Sequence, residues 1–348
     1  MKGALPIPQR TKSSFSKFHP LLFPIAGLLL CSGIFLLAPR AKPPAEPVIS
    51  VPSIDTEYNT SVGTETDHST EEPEASVSIT VETAGSQVLV LDLNTGCILF
   101  AKNENAQIYP ASLTKLLTAL TALKYAPKDM VFTVGGEISL IGPESSISGL
   151  RRGDELTFTQ LLDAMLLPSG NDAAYTMAAG IGRHIANNPM LSAAAAVELF
   201  VEKMNETAQS LGALSSVFTC PDGYPDPEHV STAADLARIA AAASKNETIR
   251  ASTRKKEVHY TINGRPVVFK NTDQLLDPTS EYYYPGVFGL KTGYTARAGN
   301  CMAAAAEQNG KAVLVITLGS ETSEERWEDC ITCFNTAFAA LNNKRSIS

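Results

Sequence analysis

The sequence predicts an α+β fold: one antiparallel sheet built from both termini of the folded region, flanked by helices, with an all-α lobe inserted in the middle. Strand-like runs joined by tight-turn signals stand at both ends of the stretch from about residue 87 to 341. Segments with apolar residues at helical spacing fill the interval between them, and no internal repeat or second domain boundary interrupts that order.

Residues 87–93 and 97–102 flank Asn94-Thr95-Gly96, where the glycine supplies the positive φ of a hairpin. A helix follows Ser112, with Leu113, Leu116, Leu117 and Leu120 on one face. Further helices are expected over about 159–167, 172–186, 191–211 and 232–244. After Lys255 the pattern returns to strands, at 258–262 and 267–270 around Asn263-Gly264 and at 312–318 after Asn309-Gly310. The run from Ala303 to Ala306 favours a helix by propensity, but the adjacent Asn-Gly turn decides for a strand. An amphipathic helix at about 325–341 closes the region.

The first 85 residues differ in composition. Residues 1–42 carry six basic side chains and no acid, and the uncharged run 21–38 would span about 27 Å as a helix, close to one hydrocarbon core. The sequence is read as a basic cytoplasmic leader (1–20), a transmembrane anchor (21–38), an acidic Pro/Ser/Thr-rich disordered stalk (39–85) and a folded domain (86–348). An uncleaved anchor is favoured over a cleaved signal peptide, because cleavage after Ala38 would leave Pro39 at the new N-terminus. Four basic residues before the run and two after it keep the N-terminus cytoplasmic, so the folded domain is expected outside the membrane. Residues 43–82 hold nine acids and no base, with no sustained period, and cannot bury enough surface to offset their chain entropy.

With 44% hydrophobic and 18% charged residues the chain is too apolar for a wholly disordered protein. Its net charge of −8 argues against a nucleic-acid groove, and no nucleic-acid partner is expected. Six cysteines and five histidines show no metal-ligand spacing, so neither a metal nor another cofactor is expected. Cys330 and Cys333 read as helix packing, because Glu328 and Asp329 disfavour a thiolate. Whether Cys97 and Cys301 meet stays open. Neither His184 nor His229 has neighbours suggesting a Ser/His/Asp triad.

Three short motifs carry chemistry. In Ser112-Leu113-Thr114-Lys115 the i,i+3 spacing places an amine within reach of a hydroxyl on one helix face, and a neutral amine can take the proton as the hydroxyl attacks. Ser-x-x-Lys also occurs at 14–17 and 252–255, so spacing alone is weak. Ser169-Gly170-Asn171 lies on a tight loop between two expected helices, where a hydroxyl and an amide can reach a cleft or simply cap a helix. Lys291-Thr292-Gly293 lies on an expected strand; the glycine allows close approach of a ligand, and the lysine and threonine suit a carboxylate.

In this order, and on helix, loop and strand, the three motifs resemble those of the serine β-lactamase-like penicillin-recognising enzymes. Within that group the chain is most similar to the D-alanyl-D-alanine carboxypeptidases, the low-molecular-mass penicillin-binding proteins. The resemblance spans about 87–341 and also rests on residues 110–119, 166–174, 223–237, 271–276 and 289–295. It implies a serine β-lactamase/DD-peptidase-like fold and catalysis by Ser112, Lys115 and Ser169. Ser112 would attack the carbonyl between two D-alanines, Lys115 would be its base, and Ser169 would relay a proton to the leaving amine. Substrate binding would fall to Asn171, Lys291, Thr292, Gly293, Tyr294 and Arg326. The N–H groups of Ser112 and Tyr294 would form the oxyanion hole, and Lys291 would help to keep Lys115 neutral by repulsion. The implied partners are peptidoglycan stem peptides and β-lactam antibiotics, with the membrane bound through the N-terminal helix.

Many members of the family carry a β-rich domain after the catalytic one and a C-terminal amphipathic membrane helix; here the sequence ends soon after its last helix. Three alternatives remain: a DD-endopeptidase using the same residues, a β-lactamase, and a penicillin-sensing or wall-binding module. The only Glu-x-x-Asn in the helical lobe, Glu202 to Asn205, lacks the leucine of a β-lactamase loop, and a binding module has no need of an activated nucleophile.

Overall fold

The two ends of the folded region meet in one sheet. The computed structural model describes residues 77–127 and 129–344. The leader, the apolar run 21–38 and most of the expected stalk lie outside the described residues. No helix among the described residues is long and apolar enough to cross a membrane.

In chain order the elements are β1 (Gln87–Asp92), β2 (Ile98–Lys102), α1 (Thr114–Tyr125), β3 (Val131–Thr133), β4 (Glu155–Thr157), α2 (Phe158–Leu166), α3 (Asn171–Ile185) and α4 (Ala193–Ser210). Then follow α5 (Ala233–Lys245), α6 (Glu247–Thr253), β5 (Glu257–Ile262), β6 (Arg265–Lys270), β7 (Val287–Thr295), β8 (Gly299–Gln308), β9 (Lys311–Ser320) and α7 (Ser323–Lys344). The main sheet has the order β2-β1-β9-β8-β7, with every pair antiparallel. β1 joins β9 in unbroken register from Gln87 opposite Leu318 to Asp92 opposite Val313. Asn309 and Gly310 both have positive φ, 52° and 73°, the twisted two-residue turn that lets β8 fold back on β9.

Packing explains why β8 tolerates four alanines. Ala303 and Ala305 join the core shared with the helical lobe, together with Leu314 and Ile316. Ala304 and Ala306 face the other way, into the cluster of α7 formed by Trp327, Cys330, Phe334 and Phe338. A strand covered by helices on both faces is apolar at every position, and here small side chains let the layers approach. In the lobe, α3 is buried nearly all round, from Asn171 to Ala179.

Several elements depart from the sequence reading. β5 and β6 form the expected hairpin but pair only with each other, outside the main sheet. Sequence periodicity missed β3 and β4, three residues each, and α6, which starts at the N-cap Asn246, whose side chain accepts from Thr248 N and Ile249 N. Ser112 does not open the α-helix; it sits in a 3-10 turn, Ala111–Leu113, that feeds α1. The expected stalk also ends too late. Ile79 N donates to Leu99 O at 2.9 Å, Val81 is buried, and the Asp329 carboxylate accepts from Ala84 N and Gly85 N. Residues 77–85 thus pack on the domain, because alternating Val77, Ile79 and Val81 have an apolar surface to meet.

Candidate active site

The site is assembled from four pieces of chain: the turn into α1, the loop between α2 and α3, the segment 220–224, and β7. Ala111 holds the left-handed region at φ 48°, bending the chain so that Ser112 faces the cleft before α1 begins. Gly223, at φ 83°, lies against the same bend: a Cβ there would stand 1.8 Å from Ala111 O. β7 also passes close, and a Cβ at Gly293 would be 3.1 Å from Ser112 N. The turn that carries Ser112 is therefore packed between two glycines, and Gly293 brings β7 beside the Ser112 backbone N–H.

Lys115 is wholly buried, and its Nζ has three neighbours: Ser112 Oγ at 2.9 Å, Asn171 Oδ1 at 2.8 Å and Asp222 O at 2.8 Å. The amide and the main-chain oxygen can only accept. A neutral amine here gives its two N–H groups to them and turns its lone pair toward the Ser112 hydroxyl, the geometry of a general base. Burial pulls Lys115 down from the ordinary lysine value to about 8, while Asp222, Cys220 and Asp172 pull it back up. The expected repulsion from Lys291 is not among these causes. The influence runs the other way: burial first, and then the charges of Lys115 and Arg326, lower Lys291, with Asp273 opposing. Desolvation dominates both lysines because neither has a carboxylate in direct contact.

Ser169 is buried, in the left-handed region at φ 63°, and its hydroxyl makes no hydrogen bond to Ser112 or Lys115. Asn171, the first residue of α3, is held by its N–H to Ser146 O at 2.8 Å. Next to it the buried Asp172 accepts from Ser148 N, Gly149 N and Leu150 N at 2.8 to 2.9 Å, tying the loop 143–150 to the start of α3.

On β7, Lys291 is buried and donates to Thr292 O at 2.9 Å. Thr292 Oγ1 lies 2.6 Å from Thr272 Oγ1. Tyr294 is 64% exposed at the cleft mouth. From the first turn of α7, Arg326 Nη1 donates to Gly293 O at 3.2 Å, with its guanidinium over the Trp327 ring. β7 is the free edge of the sheet, so its outer N–H and C=O groups can take a further strand. A cleft of about 400 Å³ opens beside it, with Ser112, Glu144, Asn171, Asp222, Tyr224 and Tyr294 in its wall.

A family model for the D-alanyl-D-alanine carboxypeptidases matches residues 70–322. The chain belongs to that family. It is 31% identical over 261 residues to the D-alanyl-D-alanine carboxypeptidase DacF of Bacillus subtilis, covering 74% of this chain and 62% of that protein. To the D-alanyl-D-alanine carboxypeptidase DacB2 of Mycobacterium tuberculosis it is 33% identical, covering 74% of this chain and 84% of that one. Among solved structures, the Streptomyces K15 DD-transpeptidase superposes with a TM-score of 0.67 at 30% identity, over 74% of this chain and 98% of that one. The expected serine β-lactamase-like DD-peptidase fold is thus the observed one.

Of the residues expected from the sequence, Ser112, Asn171 and Tyr294 line the cleft, Lys115 reaches Ser112 and Asn171, and Arg326 reaches Gly293 on β7; Lys291, Thr292 and Ser169 are not in the cleft wall. Sequence reasoning missed the Asp222 carbonyl, because a main-chain oxygen has no letter; the Asp-Gly pair at 222–223, a turn signal not used, is what could have pointed to it. It also missed Thr272, and His229 as a support. Buried His229 accepts from Thr219 N at Nδ1, 3.0 Å, and contacts Thr114 Oγ1 through Nε2 at 2.9 Å; burial lowers it to about 4, so it stays neutral behind α1. Cys330 and Cys333 are buried and free, as their packing role requires, and Cys97 and Cys301 are also free thiols. Asn205 lies within α4, where its amide binds Val201 O and Phe218 O, a structural part rather than a deacylating loop.

Proposed function

We propose that the protein is a serine-type D-Ala-D-Ala carboxypeptidase that removes the terminal D-alanine from peptidoglycan stem pentapeptides through an acyl-enzyme on Ser112. The contact set of Lys115, with two pure acceptors and the Ser112 hydroxyl, carries this reading. Ser112 Oγ attacks the penultimate D-alanine carbonyl while its proton passes to Lys115 Nζ. The N–H groups of Ser112 and Tyr294 hold the oxyanion, a contribution of about 3 to 4 kcal/mol per donor. The proton taken up by Lys115 passes to the leaving amine, with the Ser169 hydroxyl as relay, as the C–N bond breaks. Asn171 orients both Lys115 and the substrate backbone. Lys291, Thr292 and Arg326 receive the terminal carboxylate, and Gly293 lets the substrate strand lie against β7. Water then attacks the ester and returns Ser112.

Penicillins acylate the same serine, because their strained amide presents the same carbonyl and carboxylate. The basic leader and the apolar run 21–38 support a single-pass anchor with the catalytic domain on the outer side, the stalk beginning at residue 39. Extraction of membranes at alkaline pH tests the anchor, which predicts that the protein stays in the pellet. For the activity, D-alanine release from a diacyl-lysyl-D-alanyl-D-alanine peptide is compared between wild type and Ser112→Ala. Release only by the wild type is expected; equal release by both contradicts the reading, and penicillin labelling without release favours a sensing module.

A further inference from the structure

The wall of the cleft beside β7 is acidic. Lys291 and Arg326, proposed to receive the terminal carboxylate, are not part of this wall; Arg326 instead reaches Gly293 O. Among the described residues, the charged side chains in this wall are both acids: Glu144, on the loop 143–150, and Asp222, whose main-chain oxygen stands 2.8 Å from Lys115 Nζ. Arg297, the nearest cation on the β7–β8 turn, is absent from this wall and lies over the Tyr109 ring, 5.7 Å from its centre.

A substrate strand laid on the free edge of β7 with its carboxylate at Lys291 and Thr292 must run past Tyr294 toward Thr295 and Ala296, which line the same cleft as Glu144. At about 3.4 Å per residue the third residue from the C-terminus lies about 7 Å upstream of the last, on the side of Thr295 and Ala296. Glu144 is exposed and held in the left-handed region at φ 59°. Its loop is pinned to the Ser169–Asn171 turn, where Asn171 N donates to Ser146 O and Ser146 Oγ donates to Pro168 O. Two polar atoms in this wall have no partner: Asp222 Oδ2, on a residue 1% exposed, and the buried hydroxyl of Ser145.

We infer that Glu144, backed by Asp222, selects stem peptides whose third residue carries a free side-chain amine, and disfavours those in which that amine is acylated. The inference rests on the carboxypeptidase reading and extends it to the substrate. An acylated side-chain amine is what a cross-link leaves, so the acidic wall directs the enzyme to stems not linked through that position.

The experiment compares Nα-acetyl-lysyl-D-alanyl-D-alanine with its Nε-acetylated form, following D-alanine release. For an exposed ion pair the wild type is expected to prefer the free amine about fivefold in kcat/KM, chiefly through KM. High salt and Glu144→Gln each bring the ratio toward 1, whereas Glu202→Gln on α4 leaves it unchanged. An equal ratio in the wild type and Glu144→Gln overturns the inference while leaving the activity intact. Release from neither peptide overturns the inference together with the carboxypeptidase reading.

Discussion

Lys115 Nζ stands 2.8 Å from the carbonyl oxygen of Asp222, a partner that has no hydrogen to give. With Asn171 Oδ1 at 2.8 Å it uses both hydrogens of a neutral amine, so the remaining lone pair has Ser112 as its neighbour. Proton direction at the site is thus fixed by two acceptors, one of them main chain.

That geometry predicts that Lys115→Arg is inactive although it keeps a cation, because a guanidinium does not lose its proton near neutral pH. A fall of about 10²- to 10⁴-fold in the rate of penicillin acylation is expected, the usual worth of a general base. Stopped-flow labelling measures it. Acylation by Lys115→Arg within a few-fold of wild type would contradict the assignment.

Lys115 is lowered to about 8 by burial, and the neutral form is the base. Acylation should therefore rise with pH through about 8 and be weak on the acid side, where the amine is charged. The profile of kcat/KM against pH checks this. A rate that is flat across that range would mean that another group takes the proton.

Asp273 is buried beneath the Lys-Thr-Gly strand, with Oδ1 accepting from Leu275 N at 2.9 Å and Oδ2 without a partner. Burial raises it from 3.8 to about 7, against the pull of the Leu275 N–H, Lys291 and Arg326. Between those two values the folded state binds more protons than the unfolded chain. Its contribution to stability is fully present below about 4 and is lost as pH rises through about 7. Asp273→Asn should accordingly raise the melting temperature more at pH 8 than at pH 5, as read by scanning calorimetry. The same shift at both pH values would remove Asp273 from the account.

Gly293→Ala would place a Cβ 3.1 Å from Ser112 N and 3.0 Å from Leu113 Cδ1. The turn must shift by a few tenths of an ångström, and a misplaced nucleophile costs up to about 10²-fold. The expected outcome is a slowed acylation with a melting temperature within a few degrees of wild type. A variant with unimpaired acylation would show that β7 has room to spare.

How far the sequence could be read follows from what each residue leaves in it. Ser112, Lys115 and Lys291 were legible because side-chain chemistry at fixed spacing survives without coordinates. The Asn309-Gly310 turn correctly overrode the helical preference of Ala303 to Ala306, since register outweighs propensity in a covered strand. The Asp222 carbonyl, the Thr272 contact and the buried charge of Asp273 were not legible, because each depends on a fold-over of chain distant in sequence. The three-residue strands β3 and β4 are too short for any period to show. Residues 77–85 read as stalk because their acid-rich context hid an apolar alternation that matters only once the α7 face is present.

The central claim is that Ser112 is the nucleophile, and peptide mapping by mass spectrometry after exposure to benzylpenicillin tests it most directly. A single adduct of the intact antibiotic on Ser112, absent in Ser112→Ala and strongly reduced in Lys115→Arg, is the predicted result. An adduct on another residue, or one that persists in Ser112→Ala, would contradict it.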